Sequence, residues 1–187
     1  MAEVPIELVE RKELRRNSVF TIYLDHIRDA AGQEVKDYLA VVPHHRAADG
    51  VTGVAVLPVL DGGLGLIRIF RHPLGVHVWE VVRGFVDQSE TPPAAALREL
   101  REEAGLVTAA ASLRDLGMIA PEAGVLDARI RMFAAENCAR TGGVHGEMGH
   151  REIRYFSQNE VRSLIQRGEV IDPCTLVSCY RYLGDGR

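Results

Sequence analysis

The sequence has few cysteines, and their spacing excludes two common uses of this residue. Cys138, Cys174 and Cys179 are the three cysteines among 187 residues, and they form no C-x-x-C pair. This pattern is typical neither of a zinc site nor of a disulfide framework. Because disulfides belong mainly to oxidising compartments, the cysteine usage favours the reducing cytoplasm.

The sequence also lacks clustered basic residues and long apolar runs. Its net charge is −4, and Lys and Arg are scattered along the chain, so we expect no nucleic-acid partner. The interrupted basic run 11–16 is interpreted as a solvated turn. No signal-peptide pattern opens the chain and no apolar run approaches membrane-span length, so we expect no membrane association.

Length and composition predict a globular protein with one well-buried domain. Hydrophobic residues make up 47% and charged residues 26% of the chain, which are ordinary values for a folded domain. No internal repeat or low-complexity segment interrupts it. The linker-like residues 43–50 would separate an N-terminal β arm, residues 1–45, from a catalytic domain, residues 46–187.

The order of the periodic segments predicts an α+β protein, in the broad α/β class. Strands are expected in the arm, and a nearly continuous apolar run at 51–60 predicts a buried central strand. Asp61-Gly62-Gly63 is a turn signal that makes the next segment its hairpin partner. Helices are expected after Ser157, which opens a capping box, and after Asp172-Pro173. The predicted strands are 4–9, 18–27, 34–42, 51–60, 64–70, 77–86, 112–120, 129–136 and 152–156.

The most informative stretch runs from Gly84 to Leu106 and reads GFVDQSETPPAAALRELREEAGL. Pro92 suits the first turn of a helix, Thr91 its N-cap, and Gly105 its C-terminal end. Three carboxylates then project from neighbouring positions on one side of that helix: Glu99, Glu102 and Glu103. A charged helix face is usually just solvated. A hard divalent cation such as Mg²⁺ would also explain clustered carboxylate oxygens.

The spacing of this stretch separates the two interpretations. Gly84, Glu90, the Arg98-Glu99-Leu100 run, Glu102-Glu103 and Gly105-Leu106 match the Nudix box over 23 residues without a gap. The chain therefore resembles the Nudix hydrolases, which cleave nucleoside diphosphates linked to another group. The resemblance implies a mixed β-sheet sandwiched between helices, with the box as loop, helix and loop.

The resemblance also assigns roles to the residues of the box. Glu99, Glu102 and Glu103 would be metal ligands together with the backbone carbonyl of Arg83, and Glu102 and Glu103 would also be catalytic. Gly84, Glu90 and Arg98 would brace the box, with Arg98 orienting the carboxylates. The cofactor implied is Mg²⁺, with Mn²⁺ as the alternative.

Residues around the box resemble the subgroup of ADP-ribose pyrophosphatases and nucleoside diphosphate sugar hydrolases. Arg71 stands at a strand end where a similar arginine reaches the substrate's phosphates, although an exposed strand-end arginine needs no such role. Trp79 and Glu80 resemble a Trp/Leu-Glu pair of that subgroup and are candidate substrate contacts, with core or interface packing as the alternative for Trp79. The N-terminal arm resembles one that pairs two subunits, which implies a homodimer.

Two positions depart from the subgroup. Val82-Arg83 stands where Pro-Ala or Pro-Arg is common, so the loop before Gly84 is expected to differ. Pro121 lies sixteen residues beyond Gly105, as in the subgroup, but Ala123 replaces the proline that usually precedes the following glycine. The second departure bears on the substrate more than on the reaction.

A glycine-rich segment at 141–150 is expected to be a loop. In the resembling subgroup the corresponding loop carries a catalytic glutamate that closes on bound substrate. We interpret Glu147 as this base, with Glu152 as the alternative acid. His145 and His150 are alternative bases or phosphate contacts, but the interpretation as flexible polar loop residues is favoured for both.

The reaction implied is metal-dependent hydrolysis of a pyrophosphate bond. A nucleotide sugar would be the small-molecule substrate, and ADP-ribose would yield AMP and ribose 5-phosphate. Two alternatives stay open: another nucleoside diphosphate derivative, such as GDP-mannose, and a non-enzymatic sensor of nucleotide sugars.

Overall fold

The computed structural model describes residues 5–142 and 148–184 and divides the chain into two compact units. The first contains residues up to 45 together with residues 120–128. The second contains residues 46–119 and the chain from residue 129 onward. Residues 120–128, here called the excursion, lie in the sequence between two strands of the second unit but belong to the first unit.

The first unit is an antiparallel sheet with the strand order β1-β2-β3. Its strands are β1 (Ile6–Arg16), β2 (Phe20–Asp29) and β3 (Glu34–Pro43). The excursion joins this unit through the backbone of Val41, whose N–H donates to Val125 O at 2.8 Å and whose carbonyl accepts from Asp127 N–H at 2.9 Å.

The turn predicted for the basic run 11–16 is wrong, because these residues continue β1. Arg11 and Lys12 lie opposite Asp25 and Leu24 of β2. The Arg11 guanidinium donates from Nε and Nη2 to the two carboxylate oxygens of Asp25, at 2.8 and 2.6 Å. The charge of the run is therefore partly balanced across the sheet, and β-pairing remains compatible with it.

The second unit is built on a mixed sheet. Among its described residues, seven strands pair, with β12-β5-β4-β10-β9 as the main path, β6 beside β5 and β7 beside β4. The β4 and β10 strands run parallel, and the other pairs are antiparallel. The strands are β4 (Gly53–Leu60), β5 (Gly63–Arg71), β6 (Val76–Glu80), β7 (Val82–Phe85), β9 (Leu113–Ile119), β10 (Ile130–Ala135) and β12 (His150–Phe156).

Helices cover both faces of this sheet, as the resemblance implied. They are α1 (Pro92–Ala104), α2 (Gln158–Gln166) and α3 (Pro173–Gly184). Val54 and Val56 of β4 share a core with Leu100 of α1, while the alternating residues, such as Leu57, share another with Leu164 of α2. A strand buried on both faces explains the continuous apolar run read from the sequence.

Short elements complete the second unit. Strands β8 (Leu106–Val107) and β11 (Ala139–Arg140) pair with each other, and a 3₁₀ turn spans Ala110–Ser112. The predicted capping box is confirmed: Ser157 accepts from Glu160 N–H at 3.3 Å, and Glu160 accepts from Ser157 N–H at 2.7 Å. Within the described residues, no helix is both long and apolar enough to span a membrane.

Candidate active site

The acidic helix α1 begins and ends where its sequence predicts. Pro92 opens it after Thr91, although the Thr91 side chain makes no capping hydrogen bond. Gly105 ends it in the left-handed conformation, with φ at 62°. Ala96 and Leu100 face the core, and Glu99 and Glu103 lie on the same buried side with only 8% and 9% of their surface exposed. The helix therefore carries two nearly buried carboxylates.

The carboxylate of Glu99 lies against the backbone of Gly84. A Cβ added to Gly84 would stand 1.8 Å from Oε1 of Glu99, a distance that no real contact allows. Burial raises the pKa of Glu99, and the neighbouring Arg98 guanidinium partly opposes that rise. Position 84 thus needs a residue without a side chain so that Glu99 can reach the backbone.

The carboxylate of Glu103 faces the residue before that glycine. Its Oε2 accepts a hydrogen bond from the backbone N–H of Arg83 at 3.2 Å. Arg83 lies on β7, which pairs with the central strand β4. The start of the box and the end of its helix are therefore joined directly through main chain and carboxylate.

Arg98 gathers the remaining acids of the box. Its guanidinium donates to Glu99 at 2.6 Å, to Glu102 at 3.3 Å, and through Nε and Nη2 to Glu90 at 3.1 and 3.0 Å. It also donates to the backbone carbonyl of Phe85 at 2.9 Å. The hydrogen bonds to Glu90 contribute most to raising the pKa of Arg98, and the same contacts lower the pKa of Glu90. Arg98 therefore connects the helix to the preceding loop through hydrogen bonds to both.

The donor chemistry of this cluster fits a hard divalent cation. Glu99, Glu102 and Glu103 supply carboxylate oxygens, which Mg²⁺ and Mn²⁺ prefer. In residues 5–142 and 148–184, no three acidic, histidine or cysteine side chains stand in a metal-holding arrangement. Glu102 points partly to solvent, with 42% of its side chain exposed, and Arg98 binds both it and Glu99. A bound cation would therefore compete with Arg98 for these oxygens.

A second charged group adjoins the box on β5, β6 and β7. Arg71 donates to both oxygens of Glu80, from Nε at 2.9 Å and from Nη2 at 2.7 Å. Glu80 is nearly buried, with 3% exposed, and also pairs with Arg83 at 2.8 Å. Glu80 thus binds two arginines at once, one of them the predicted phosphate contact.

Trp79 lies in the core. It is 5% exposed and packs edge-on against Phe156, with ring centroids 5.1 Å apart. The guanidinium carbons of Arg68 and Arg154 lie 5.4 and 5.5 Å from its ring centroid. The geometry favours the packing role over base stacking, which stays a prediction.

The candidate bases are placed unequally. Glu147, like His145, lies outside the described residues. Glu152 belongs to β12, opposite Arg68 of β5, and its carboxylate accepts from Arg154 at 2.9 Å. His150 opens the same strand, opposite Ile69. Glu152 is therefore already engaged by a neighbouring cation.

Sequence reasoning missed one member of this site. The sequence predicts Asp172-Pro173 only as the start of α3, and Asp172 does accept the backbone N–H of Thr175 at 2.8 Å. Its other oxygen accepts from Arg83 at 2.8 Å, although the two residues are 89 positions apart. Such a separation leaves no local pattern to detect. The departure at Val82-Arg83 gave no signal either, because it concerns the missing proline and an arginine is common at the second position.

Comparison with known proteins gives this geometry a family context. The family model described as NUDIX domain matches residues 51–174. An ADP-ribose pyrophosphatase of Mycobacterium tuberculosis is 28% identical over 176 residues, which cover 92% of this chain and 80% of that protein. A CMP-5'-(N-acetyl-N-hydroxy-3-aminopropyl)phosphonate hydrolase of Streptomyces rubellomurinus is 27% identical over 147 residues, covering 78% and 69%.

A solved structure supports the fold over the full chain. The crystal structure of an ADP compounds hydrolase superposes with a TM-score of 0.80 and covers 100% of this chain and 99% of its own. Only 16% of the aligned residues are identical. The likeness therefore concerns the architecture, including the mixed sheet between helices.

Proposed function

Because the chain belongs to the Nudix family and is a Nudix hydrolase, we propose that it hydrolyses the pyrophosphate bond of a nucleoside diphosphate sugar. The proposed substrate is ADP-ribose, and the products are AMP and ribose 5-phosphate. The observation that carries the proposal is the pair of nearly buried carboxylates, Glu99 and Glu103, which meet the backbone at Arg83 and Gly84. The ADP-ribose pyrophosphatase relative supports the choice of substrate.

The proposed cofactor is Mg²⁺, with Mn²⁺ as the alternative. Glu99, Glu102, Glu103 and the carbonyl oxygen of Arg83 would hold it. When bound, the cation would offset the negative charge of the diphosphate and lower the pKa of a water molecule.

The chain's own residues would prepare the site for this chemistry. The Arg83 N–H binds one oxygen of Glu103 and so fixes the orientation of that carboxylate. Arg98 orients Glu99 and Glu102 and is itself held by Glu90. Burial and the nearby charges of Glu102 and Glu90 raise the pKa of Glu99, and the positive charge of Arg98 opposes that rise.

Substrate contacts are proposed on the neighbouring strands. Glu80 holds Arg71 through two parallel hydrogen bonds, which fixes the plane of the guanidinium. An arginine so oriented is suited to contact phosphate oxygens. Glu147 would act as the general base: it would take a proton from the water molecule while that water attacks phosphorus.

The test combines a substrate panel with a variant of the metal site. Purified protein is incubated with ADP-ribose, GDP-mannose and other nucleoside diphosphate sugars, with and without Mg²⁺, and the released nucleoside monophosphate is measured. Glu103→Gln should lower turnover by orders of magnitude while the protein stays folded. The amide oxygen of glutamine still accepts the Arg83 N–H, but the negative charge is lost.

The matched control is Glu169→Gln, which removes an exposed carboxylate paired with Arg167. It should retain wild-type turnover. If Glu103→Gln hydrolyses every accepted substrate at the wild-type rate, the proposed metal site is wrong.

The same panel tests the alternatives. The compound in the name of the phosphonate hydrolase relative contains a CMP group, which favours including cytidine compounds in the panel. Preferential release of GMP or CMP would show that a guanosine or cytidine compound, and not ADP-ribose, is the substrate. The proposed reaction would be unchanged. Tight binding without turnover and without metal would favour a sensor instead.

We also propose a homodimer in which residues 1–45 serve as the pairing arm and residues 46–187 as the hydrolase domain. Strand β1 is exposed along all eleven residues and includes large apolar side chains such as Ile6 and Leu8. Exposed apolar surface of this kind is typical of an interface.

A cytoplasmic location is consistent with the three free cysteines, and cell fractionation would test it.

A further inference from the structure

A chain of ion pairs connects the N-terminal end of α3 with the segment that precedes the box. Asp172 Oδ1 accepts from Arg83 Nη1 at 2.8 Å, and Arg83 Nη2 pairs with Glu80 Oε2, also at 2.8 Å. Glu80 in turn holds the guanidinium of Arg71. Asp172 and Glu80 are 8% and 3% exposed, so water screens these contacts little.

The start of α3 is built to hold this connection. The second oxygen of Asp172 accepts from both the backbone N–H and the hydroxyl of Thr175, at 2.8 and 2.7 Å. The Thr175 hydroxyl oxygen accepts from the backbone N–H of Val81 at 3.0 Å. Thr175 is fully buried. Two side chains of the helix end, Asp172 and Thr175, therefore bind the segment 80–83, one at the Arg83 side chain and the other at the Val81 backbone N–H.

Arg83 is held from two sides. Its side chain binds Asp172 on α3, while its backbone N–H binds Glu103 on α1. Burial alone would lower the pKa of Arg83, but the attraction of Asp172 and Glu80 raises it, so the guanidinium stays charged. Val82, beside it, lacks the fixed φ that a proline would impose. Pairing with Ala55 of β4 sets the strand position of the Arg83 peptide, and the contacts with Glu103 and Asp172 hold it further from two sides.

We propose that Asp172 and Arg83 are positioning residues of the hydrolase site. Their bridge fixes the segment 80–83 so that the Arg83 peptide meets Glu103 and Glu80 orients Arg71. The inference rests on the proposed function for its catalytic consequence. It assigns α3, which carries no residue of the box, a part in shaping the metal site.

The test is Asp172→Asn. Asparagine keeps an oxygen for the two Thr175 donors, so the cap of α3 is retained, while the charge that attracts Arg83 is removed. Loss of such an outer support typically costs roughly 10- to 100-fold in metal affinity or activity. We expect kcat to fall by that factor and the Mn²⁺ dissociation constant, measured by calorimetry without substrate, to rise at least several-fold.

The matched control is Asp115→Asn. Asp115 also binds an arginine, Arg131, and a backbone N–H, that of Gly117, but it lies on β9 away from the box. This variant should keep wild-type kcat and Mn²⁺ affinity. A double variant, Asp172→Asn with Arg83→Gln, should be no worse than the poorer single variant, because both changes break one bridge.

The outcomes separate the inference from the proposed function. If Asp172→Asn is folded and retains both wild-type kcat and wild-type Mn²⁺ affinity, the positioning role is overturned while hydrolysis stands. If the wild type turns over no compound in the panel, the proposed function fails, and Mn²⁺ affinity alone then decides the positioning role. Should Asp172→Asn not fold, Arg83→Lys replaces it, since lysine keeps the charge but lacks the two separate nitrogens; unchanged values there overturn the role.

Discussion

At the scale of single residues, Gly84 shows how a close approach shapes the site. Its φ is not among the positive values found at glycines in the described chain, so backbone freedom does not explain the residue. The reason is the Glu99 carboxylate, which occupies the place of a Cβ. Glycine here permits contact between a helix side chain and the strand before the box.

Gly84→Ala should therefore impair function more than folding. The clash falls on the end of a flexible side chain, so Glu99 can swing away and the backbone can stay in place. Displacement of a catalytic group by about 1 Å can cost roughly 100-fold in rate. We expect a drop in kcat of that order and weaker Mn²⁺ binding, with the thermal unfolding midpoint changed by only a few degrees.

Gly184→Ala is the control for this prediction, because a Cβ there meets nothing within 4 Å. It should leave kcat and metal binding unchanged. Wild-type kinetics for Gly84→Ala would show that the position of Glu99 is not required for the reaction.

The residue scale also shows which parts of the site the sequence can predict. Glu99 and Glu103 are four positions apart, so helical periodicity alone places them on one side. The contact of Arg83 with Asp172 depends instead on where α3 packs, and no spacing encodes that. Local chemistry predicted the carboxylates and their helix, whereas tertiary packing determined what supports them.

At the scale of elements, helix ends were easier to predict than strand ends. Proline and glycine chemistry predicted both ends of α1, because each of these residues restricts or permits a specific backbone conformation. The extension of β1 through Arg11 was missed. Its charge favours a solvated turn only when the partner carboxylate of Asp25, fourteen positions away, is unknown.

The two candidate bases differ in their place along the sequence, and this difference supports a prediction. Glu152 is part of β12 and is paired with Arg154, whereas Glu147 precedes that strand in the sequence. Loss of a general base typically lowers the rate by about 10²–10⁴-fold. Glu147→Gln should reduce kcat within that range, while Glu152→Gln should stay within a few-fold of wild type.

The measurement is kcat for ADP-ribose over a range of Mg²⁺ concentrations, so that a change in metal affinity is not mistaken for loss of a base. Each variant serves as the control for the other, since both exchange glutamate for glutamine in the same part of the chain. A large loss only in Glu152→Gln would transfer the proposed role to β12.

At the scale of the whole molecule, the sequence predicted the layers of the second unit but not the composition of the first. Successive side chains of β4 alternate between two cores, as expected for a central strand buried on both faces. Residues 120–128 join the first unit instead of the second. Hydrogen bonds between Val41 and this distant segment connect it to the first unit, and the segment itself has no strand pattern.

The exposed sheet of the first unit supports the last prediction. The register places Leu8 and Val35 on either side of Ile27, and paired residues share one face of a sheet. Leu8 and Val35 are 51% and 45% exposed, so much of this apolar row faces solvent in the part of the chain that the structure describes. A stable dimer typically buries about 800 Å² per partner, and burial of such a row against a second copy of the chain would contribute to that area.

We therefore expect the wild type to have the mass of a dimer in sedimentation equilibrium and the double variant Leu8→Glu with Val35→Lys to have the mass of a monomer. Leu74→Glu, which changes an exposed leucine of the second unit, should remain dimeric. A wild type that is monomeric throughout, or a dimer unaffected by the paired change, would rule out this face as the interface.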